Sequence, residues 1–271
     1  MPYKALILDV DGTLIGDDRT ISKGVKKAIA KVRDRVFVSL CSGRVYGSIR
    51  KYVEELNLTS FQICDGGGEI YSPAAQKPIY QKIIKTKIAW QIISDLKKNN
   101  IHFLASCLSK YHLDKAYTAP EMIEKYKFFI PELPDLNKVK DPQFTKITVL
   151  GVNSRNSKKI EKMLRPYSES VHYIISAHHI TQSTGLHALD ITEKSATKLT
   201  ALEAYVKLTG INLSETIVVG DGYNDFPLLM AGGLKIAMGN AVPDLKKIAD
   251  FVAPSVDEDG VAMVIEKFLL S

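Results

Sequence analysis

Two aspartates one residue apart, Asp9 and Asp11, follow directly on an apolar run in the stretch ALILDVDGTLIG. Side chains at positions i and i+2 of a strand lie on one face, so these two carboxylates would repel each other there. Gly12 allows a sharp turn after the strand, which lets the second carboxylate swing toward a leaving group. A carboxylate nucleophile with a nearby general acid is a suitable pair for phosphoryl transfer.

Two further polar clusters follow apolar runs that predict strands. Ser42 and Gly43 come after RVFVSLC, and Asp221 and Asp225 come in GDGYND after TIVV. Because ligands of an open parallel sheet bind at the carboxyl ends of its strands, the four aspartates are expected to converge there. Each like-charged pair at ~4 Å costs about 4 kcal/mol at an effective dielectric constant of about 20. A hard dication removes this cost, and Mg²⁺ is the predicted cofactor.

Short apolar runs alternate with amphipathic helices at both ends of the chain. YKALILDV and RVFVSLC predict strands, and Ser22 predicts the N-cap of the helix between them. After Asp190 the alternation returns, with predicted strands in ETIVVGDG and LKIAMGN. Strands joined by helices in this way favour right-handed βαβ units. The predicted fold class is therefore α/β, with a Rossmann-like parallel sheet core.

The pattern changes between these two parts. A helix is predicted from Thr86, and strands are predicted in IHFLAS, KITVLG, SVHYIIS and GLHALDI, with the Pro-punctuated loop PELPDLNKVKDP among them. We therefore predict an inserted α/β domain over residues 83–187 and a core domain formed by residues 1–82 and 188–271.

Composition and charge set limits on partners and location. The chain has 271 residues and a formal net charge of +6, and it lacks an apolar run of membrane-spanning length. Residues 83–187 hold 16 Lys and Arg against 9 Asp and Glu, which suits small anionic substrates. The basic residues are spread out, so neither a nucleic acid nor a membrane is a predicted partner. Three scattered cysteines and the lack of a leader predict a cytoplasmic chain with reduced thiols. A monomer or a homodimer is expected.

Four motifs in this order resemble those of the haloacid dehalogenase (HAD) superfamily: DVDGTL, CSGR, KLTAL and VVGDGYNDFPLL. The downstream IAMGNA and SVDEDGVAMVIEKFL resemble the tail of its Cof-type (HAD-IIB) sugar-phosphatase branch. The insertion between the second and third motifs resembles the C2-type α/β cap domain of that branch. The resemblance covers essentially the whole chain and implies a HAD catalytic core with an inserted cap. An aspartate two positions after the first one, as at Asp11, resembles the pattern of the phosphotransferase members, and this argues against carbon–halogen cleavage.

The resemblance implies a role for each matching residue. Asp9 would attack phosphorus and form an aspartyl-phosphate, and Asp11 would protonate the leaving oxygen and later activate water. Ser42 would hydrogen-bond the phosphoryl oxygens, and Lys198 would neutralise charge between nucleophile and phosphate. The implied catalytic residues are Asp9, Asp11, Ser42 and Lys198, and the implied substrate-binding residues are Ser42, Gly43, Arg44 and Lys198. The implied Mg²⁺ site comprises Asp9, the main-chain carbonyl of Asp11, Asp221, Asn224 and Asp225.

Several of these residues also admit a purely structural role. Taken alone, Lys198 would be a solvated helix lysine, and Asp225 could cap the helix that follows it. Ser42 could likewise cap the next helix. Arg44 could be either an ordinary surface ion-pair partner or an orienting group beside the phosphate.

The chain departs from the family pattern at three positions. Ser42 replaces the usual Thr but keeps the hydroxyl, so no loss of function is expected. Leu199 replaces the Gly that commonly follows the motif lysine, and Gly66 replaces an Asn, which puts a side-chain contact from that position in doubt. The glycines of DGGG predict a tight turn before a hairpin, with an anion cradle as the alternative. In the inserted domain, His178 or His179 could face the substrate.

The predicted function is a Mg²⁺-dependent phosphatase that acts on a small phosphorylated metabolite, such as a sugar phosphate. A phosphomutase is the first alternative, because it would share every core residue. A non-catalytic, phosphate-binding regulatory module is the second. The basic inserted segment favours that module, whereas the full set of carboxylates with Lys198 argues against it. These residues do not identify the leaving group.

Overall fold

The computed structural model describes residues 2–130, 132–176 and 187–270. The chain divides into two compact units, Met1–Tyr80 with Thr197–Ser271, and Gln81–Ala196. The strands of the described residues are β1 (Ala5–Leu8), β2 (Phe37–Leu40), β3 (Gln62–Cys64), β4 (Glu69–Ser72), β5 (Lys77–Gln81), β6 (Phe103–Cys107), β7 (Lys110–His112), β8 (Lys146–Val152), β9 (Val171–Ser176), β10 (His187–Glu193), β11 (Thr216–Gly220), β12 (Leu234–Ala237) and β13 (Phe251–Val252). The α-helices are α1 (Lys23–Val32), α2 (Tyr46–Glu55), α3 (Thr86–Lys98), α4 (Pro120–Phe129), α5 (Ser157–Leu164), α6 (Lys198–Thr209), α7 (Phe226–Ala231), α8 (Pro243–Ile248) and α9 (Gly260–Leu269).

The first unit is built on a parallel sheet of five strands in the order β13-β12-β11-β1-β2. Each neighbouring pair of strands in this sheet is parallel. All residues of β1 and β11 are buried, as their unbroken apolar runs predict for strands covered on both faces. The predicted α/β class with a Rossmann-like parallel sheet is confirmed.

Helix α1 shows how local sequence fixes an element against this sheet. The Ser22 hydroxyl accepts a hydrogen bond from the backbone N of Val25 at 3.0 Å, which confirms the predicted N-cap. Val25, Ala28, Ile29 and Val32 recur at helical spacing, and all four are buried. Fully burying an apolar side chain of the size of Val or Ile contributes about 1.5–3 kcal/mol, so this stripe holds the helix in place.

Three polar loops meet at one edge of the parallel sheet. Strands β11, β1 and β2 are neighbours and point the same way, so their carboxyl ends lie side by side. Asp9 follows the end of β1, Ser42 lies just beyond β2, and Asp221 follows β11. The fold therefore places the predicted functional residues together by strand order.

The run FQIC forms β3, which joins the parallel sheet only weakly. It pairs antiparallel with β4, and an isolated parallel bridge links Ile63 to Cys41. Its carboxyl end leads into a 3₁₀ turn, Asp65–Gly67. The backbone N of Gly66 donates to the Ser42 carbonyl at 3.0 Å, so this turn supports the loop after β2.

The second unit has its own antiparallel sheet, in the order β7-β6-β8-β10-β9. Helices α3 and α5 pack on one face of that sheet through a buried apolar cluster. The cluster includes Ile92 and Leu96 of α3, Ile160 of α5, Ile147 of β8 and Leu189 of β10. The predicted inserted segment is thus an α/β body with a separate core.

The second boundary between the units differs from the predicted 187/188. Strand β10 pairs antiparallel with both β8 and β9, so the chain belongs to the second unit up to Ala196. The prediction that the core resumes at residue 188 is therefore corrected to Thr197. The first boundary, between Tyr80 and Gln81, differs little from the predicted 82/83.

His178 and His179, named above as possible substrate-facing residues, lie outside the described residues. Within the described part of the chain, no helix combines the length and the apolar character needed to cross a membrane.

Candidate active site

Asp9 is the first polar residue after β1, and it is nearly completely buried, with 4% exposure. Its backbone N donates to the Val219 carbonyl at 3.0 Å, which extends the pairing of β1 with β11. Its Oδ1 accepts a hydrogen bond from Lys198 Nζ at 2.5 Å. The Asp9 carboxylate is therefore fixed at the end of a central strand and paired with a cation.

Lys198 links two of the predicted carboxylates. It is the first residue of α6, and the hydroxyl of the N-cap Thr197 accepts from the backbone N of Thr200 at 3.1 Å. Lys198 Nζ donates to Asp9 Oδ1 and to Asp225 Oδ1, the latter at 2.6 Å. Because Lys198 is only 2% exposed, the alternative of a solvated helix lysine is wrong.

Asp225 is fully buried and uses both carboxylate oxygens within the protein. Its Oδ2 accepts from the backbone N of Asp221 at 3.0 Å and from that of Gly222 at 2.9 Å, while Oδ1 accepts from Lys198. These bonds order the turn that carries Asp221 and fix the position of the ammonium group. If Asp225 binds a metal ion, the oxygen that does so would also accept one or more of these hydrogen bonds.

Asp221 faces the loop that follows β1. Thr13 Oγ1 donates to Asp221 Oδ1 at 2.9 Å. Gly12 has φ +85°, and a Cβ at this position would lie 2.3 Å from Asp221 Oδ2. Glycine is therefore required both for the backbone conformation and for the close approach of the carboxylate. Thr13 was missed among the predicted site residues, although its position in DVDGTL was a usable signal.

The carboxylate oxygens of Asp9, Asp221 and Asp225 approach within 4.8 Å of one another. Burial, followed by repulsion from Asp225, raises the pKa of Asp9 well above its usual range. The same two causes raise the pKa of Asp221 to about 7. Burial disfavours the Lys198 ammonium, but Asp225 and Asp9 outweigh it and raise the lysine pKa. The cluster thus carries more negative charge than Lys198 neutralises, and its oxygen donors fit a hard dication such as Mg²⁺.

Ser42 and Arg44 lie in the loop after β2. Ser42 is 1% exposed, and its Oγ accepts from the backbone N of Arg44 at 3.1 Å. The N-cap of α2 is Val45, without a side-chain cap, so the alternative that Ser42 caps this helix is wrong. The Arg44 side chain reaches Asp11: Nε donates to Asp11 Oδ2 at 2.8 Å, and Nη2 donates to Oδ1.

Gly43 and Asn224 lie in the same two loops. Gly43 has open space where a Cβ would stand. Asn224 lies in the 3₁₀ turn Tyr223–Asp225, and its Oδ1 would be 2.5 Å from a Cβ at Gly222. The structure brings together four of the predicted site residues: the carboxylate cluster of Asp9, Asp221 and Asp225, and Lys198, which contacts two of its members. Asp11 and Arg44 form a separate ion pair.

Asn240 is a second residue that the sequence reasoning missed. Its Nδ2 donates to the Gly12 carbonyl at 2.8 Å, and its Oδ1 accepts from the backbone N of Val256 at 2.9 Å. Nearby, the backbone N of Val242 donates to the Asp221 carbonyl at 2.9 Å. The loop after β12 therefore ties together the loops that carry Asp9 and Asp221. Asn240 lies in the motif IAMGNA, which indicated the family resemblance but did not predict this hydrogen bond.

Comparison with known proteins identifies the family to which the chain belongs. The model of the haloacid dehalogenase-like hydrolase family matches residues 6–265. The chain is 28% identical over 272 residues to the 5-amino-6-(5-phospho-D-ribitylamino)uracil phosphatase YcsE of Bacillus subtilis, and this match covers 98% of the chain and 96% of that protein.

Solved structures show the same fold. A haloacid dehalogenase-like hydrolase from Bacteroides thetaiotaomicron matches with a TM-score of 0.85 at 23% identity, over 98% of this chain and all of that one. The HAD subclass IIB sugar phosphatase BT4131 matches with a TM-score of 0.78 at 23% identity, over 98% of this chain and 99% of that one. These two likenesses support the fold alone, because a similar fold does not by itself specify a substrate.

Proposed function

The chain belongs to the haloacid dehalogenase-like hydrolase family and is a phosphatase of that family, and on this premise we propose that it hydrolyses a small phosphate ester with Mg²⁺ through an aspartyl-phosphate at Asp9. One observation supports this most directly. The buried Asp9 carboxylate is hydrogen-bonded to Lys198 and lies among the carboxylates of Asp221 and Asp225. A carboxylate that is buried, oriented and partly neutralised is suited to attack an anionic ester.

In the proposed first step, a carboxylate oxygen of Asp9 attacks phosphorus and the bond from phosphorus to the ester oxygen breaks. Lys198 offsets the negative charge that gathers between Asp9 and the phosphoryl oxygens, and the Ser42 hydroxyl and the Gly43 backbone orient those oxygens. Asp11 gives its proton to the leaving oxygen. The products of this step are a free alcohol and a phosphoryl group on Asp9.

In the proposed second step, Asp11 takes a proton from a water molecule. The water oxygen attacks phosphorus, the bond between phosphorus and the Asp9 oxygen breaks, and inorganic phosphate is released. Asp9 returns to a carboxylate and Asp11 to its protonated form, so the cycle is balanced.

The proposed ligands of Mg²⁺ are Asp9, the main-chain carbonyl of Asp11, Asp221, Asn224 and Asp225. The bound dication supplies positive charge that offsets the carboxylates and the phosphate. Asp225 also holds Lys198 and the turn of Asp221, as its hydrogen bonds indicate. Thr13 orients Asp221 by its hydroxyl.

We assign leaving-group selection to the second unit, as a cap domain. Its insertion between the CSGR and KLTAL motifs and its excess of basic residues support this role. YcsE is named for a phosphorylated ribitylaminouracil, so a phosphorylated sugar or a similar metabolite is the proposed substrate class. The three buried cysteines Cys41, Cys64 and Cys107 are thiols that form no disulfide, which supports a cytoplasmic location.

The test is phosphate release from a panel of phosphorylated metabolites with Mg²⁺, for the parent, Asp9→Asn and Asp17→Asn. Asp17 is an exposed carboxylate later in the same segment, so its variant is the matched control. We expect steady phosphate release by the parent and by Asp17→Asn, and a loss of about 10³-fold or more for Asp9→Asn with substrate binding retained. Asp9→Asn turning over p-nitrophenyl phosphate at the parental rate would refute the nucleophile assignment. Release only in the presence of a bisphosphate activator would instead indicate the mutase.

A further inference from the structure

The side chain of Arg44 makes a two-pronged contact with the proposed proton donor. Nε donates to Asp11 Oδ2 at 2.8 Å and Nη2 donates to Asp11 Oδ1, so one edge of the guanidinium group engages both carboxylate oxygens. The two side chains are 16% and 27% exposed. The pair of Arg50 with Glu54 on α2 is a surface contact by comparison, with side chains 65% and 60% exposed. A bidentate, partly desolvated pair fixes the plane of a carboxylate as well as its position.

The backbone that carries Arg44 is itself tied down. The Arg44 N donates to Ser42 Oγ at 3.1 Å, and the Arg44 carbonyl accepts from the backbone N of Asp65 at 2.9 Å. The Ser42 carbonyl accepts from Gly66 N at 3.0 Å. Asp65 and Gly66 both have positive φ, +53° and +67°, which is how the DGGG turn directs successive N–H groups at this loop. The turn therefore serves as the support from which Arg44 reaches Asp11.

The fork is compatible with proton donation by Asp11. A carboxyl group offers about four lone-pair sites on its two oxygens, and a bidentate arginine uses one on each. The fork therefore uses fewer sites than the carboxyl group has, and its geometry does not by itself block transfer of a proton to the leaving group. Direct binding of the substrate phosphate is the other role open to an arginine here. The observed contacts favour positioning of Asp11, since Nε and Nη2 of Arg44 both donate to this one carboxylate group.

We propose that Arg44 is a positioning residue for Asp11: it holds the proton-donating carboxyl group in place for the leaving oxygen, and it does not act mainly as a phosphate ligand. This inference rests on the proposed phosphatase function. It also gives the DGGG turn a purpose, because the turn anchors the loop that carries Arg44. Misplacing a reacting group by about 1 Å costs about 10²-fold in rate, so loss of the fork has a measurable effect on chemistry.

The experiment measures kcat/KM for substituted phenyl phosphates whose leaving groups range from acidic to weakly acidic. Arg44→Gln, Arg44→Lys, Asp11→Asn and the surface control Arg50→Gln are compared with the parent, all with Mg²⁺. A nitrophenolate leaves without a proton, whereas a weakly acidic phenol requires one. For Arg44→Gln we expect a loss of about 10²-fold with phenyl phosphate, at the lower end of what a positioned general acid contributes, and little loss with p-nitrophenyl phosphate. Arg44→Lys recovers part of the loss, and Arg50→Gln behaves as the parent.

A double variant separates the two roles of Arg44. If Arg44 acts through Asp11, Arg44→Gln combined with Asp11→Asn is no slower than Asp11→Asn alone. If Arg44 binds the phosphate, its removal lowers kcat/KM by the same factor for every ester, raises KM, and adds to the loss from Asp11→Asn. That second pattern would overturn the proposal. A parent enzyme that hydrolyses none of the esters would instead sink the proposed function itself.

Discussion

Both units of the molecule bury a lysine beside an aspartate, but the surroundings of the two lysines differ. Lys198 in the first unit and Lys146 in the second are 2% and 1% exposed. Lys198 Nζ donates to two carboxylates at 2.5 and 2.6 Å. Lys146 Nζ donates to the Tyr111 hydroxyl at 3.2 Å and lies 3.8 Å from Asp190 Oδ1. Asp190 in turn accepts from Thr148 Oγ1 at 2.6 Å.

The difference teaches that burial of a lysine does not by itself mark a reactive site. Around Lys198, three carboxylates lie close to one ammonium, and burial together with repulsion from Asp225 raises the pKa values of Asp9 and Asp221. In the contacts just given, Lys146 meets a hydroxyl and one carboxylate that is itself hydrogen-bonded. Charge that is left unbalanced inside a protein is costly unless a ligand or metal compensates it. The first arrangement is suited to binding an ion or an anionic ester, and the second to holding a sheet together.

The largest expected effect comes from Lys198→Met. This change leaves Asp9 and Asp225 buried without their shared cation, so we expect the free energy of unfolding to fall by about 3–5 kcal/mol. Loss of the charge beside the phosphoryl group is expected to lower kcat by about 10²–10³-fold. Denaturant unfolding and phosphate release measure the two effects. Parental turnover by a folded Lys198→Met protein would show that this lysine is structural.

Gly12→Ala should have the next largest effect. The new Cβ would meet Asp221 at 2.3 Å on a backbone with φ +85°, so the carboxylate must move. We expect about a 10²-fold loss of kcat/KM and a destabilisation of about 1–3 kcal/mol. Gly210→Ala is the matched control, because Gly210 also has a positive φ, +71°, but has open space around it. Equal losses of activity in both variants would show that contact with Asp221 is unimportant.

Asp221→Asn should stabilise the metal-free protein at mildly alkaline pH. Folding raises the pKa of Asp221 to about 7, first through burial and then through Asp225. A carboxyl group with a raised pKa stabilises the fold at pH values below its unfolded pKa, near ~3.9, and this contribution is lost as the pH rises through the folded value. Metal-free Asp221→Asn should therefore melt above the parent near pH ~8, by about 2–4 °C per kcal/mol, and the difference should shrink toward pH ~5.

Calorimetry with and without Mg²⁺ measures this effect. Mg²⁺ is expected to raise the melting temperature of the parent near pH ~8 more than that of Asp221→Asn, because the ion replaces protons in the cluster. A metal-free parent that is more stable than Asp221→Asn at that pH would mean that the carboxylates do not repel each other.

The smallest effect on catalysis is expected for Lys146→Met. Asp190 would lose a nearby cation, so the free energy of unfolding should fall by about 1–3 kcal/mol. The kcat for p-nitrophenyl phosphate should stay that of the parent, since the contacts of Lys146 described above include none of the proposed catalytic residues. Stopped assays of the purified variant measure this. A catalytic defect as large as that of Lys198→Met would remove the contrast between the two lysines.

Much of the core could be predicted because its signals are local. The apolar runs before Asp9 and Asp221 form fully buried strands, and a parallel sheet places the ends of neighbouring strands together. Ser22 caps its helix as its position predicts. The fold class and the family followed from these runs and from the order of the motifs. The catalytic roles of the residues stay predictions.

Contacts between residues distant in sequence were not predictable from the sequence. The partner of Arg44 is 33 positions away and that of Thr13 is 208 positions away, and neither pairing leaves a periodic signal. The sequence of β10 (His187–Glu193) carries no signal of its antiparallel pairing with β8 and β9, so the predicted boundary at 187/188 was wrong. The burial of Lys146 was not predictable either, because lysine is normally a surface residue and its burial here depends on tertiary packing.

The most direct test of the central claim is to trap the phosphorylated enzyme. Parent, Asp9→Asn and Asp17→Asn are mixed with substrate and Mg²⁺, quenched in acid within the first turnover, digested, and analysed by mass spectrometry. The proposed chemistry gives phosphate on the peptide that contains Asp9, sensitive to hydroxylamine as an acyl phosphate is, in the parent and in Asp17→Asn but not in Asp9→Asn. Phosphate on a different residue, or retained in Asp9→Asn at the parental level, would contradict the assignment of Asp9 as the nucleophile.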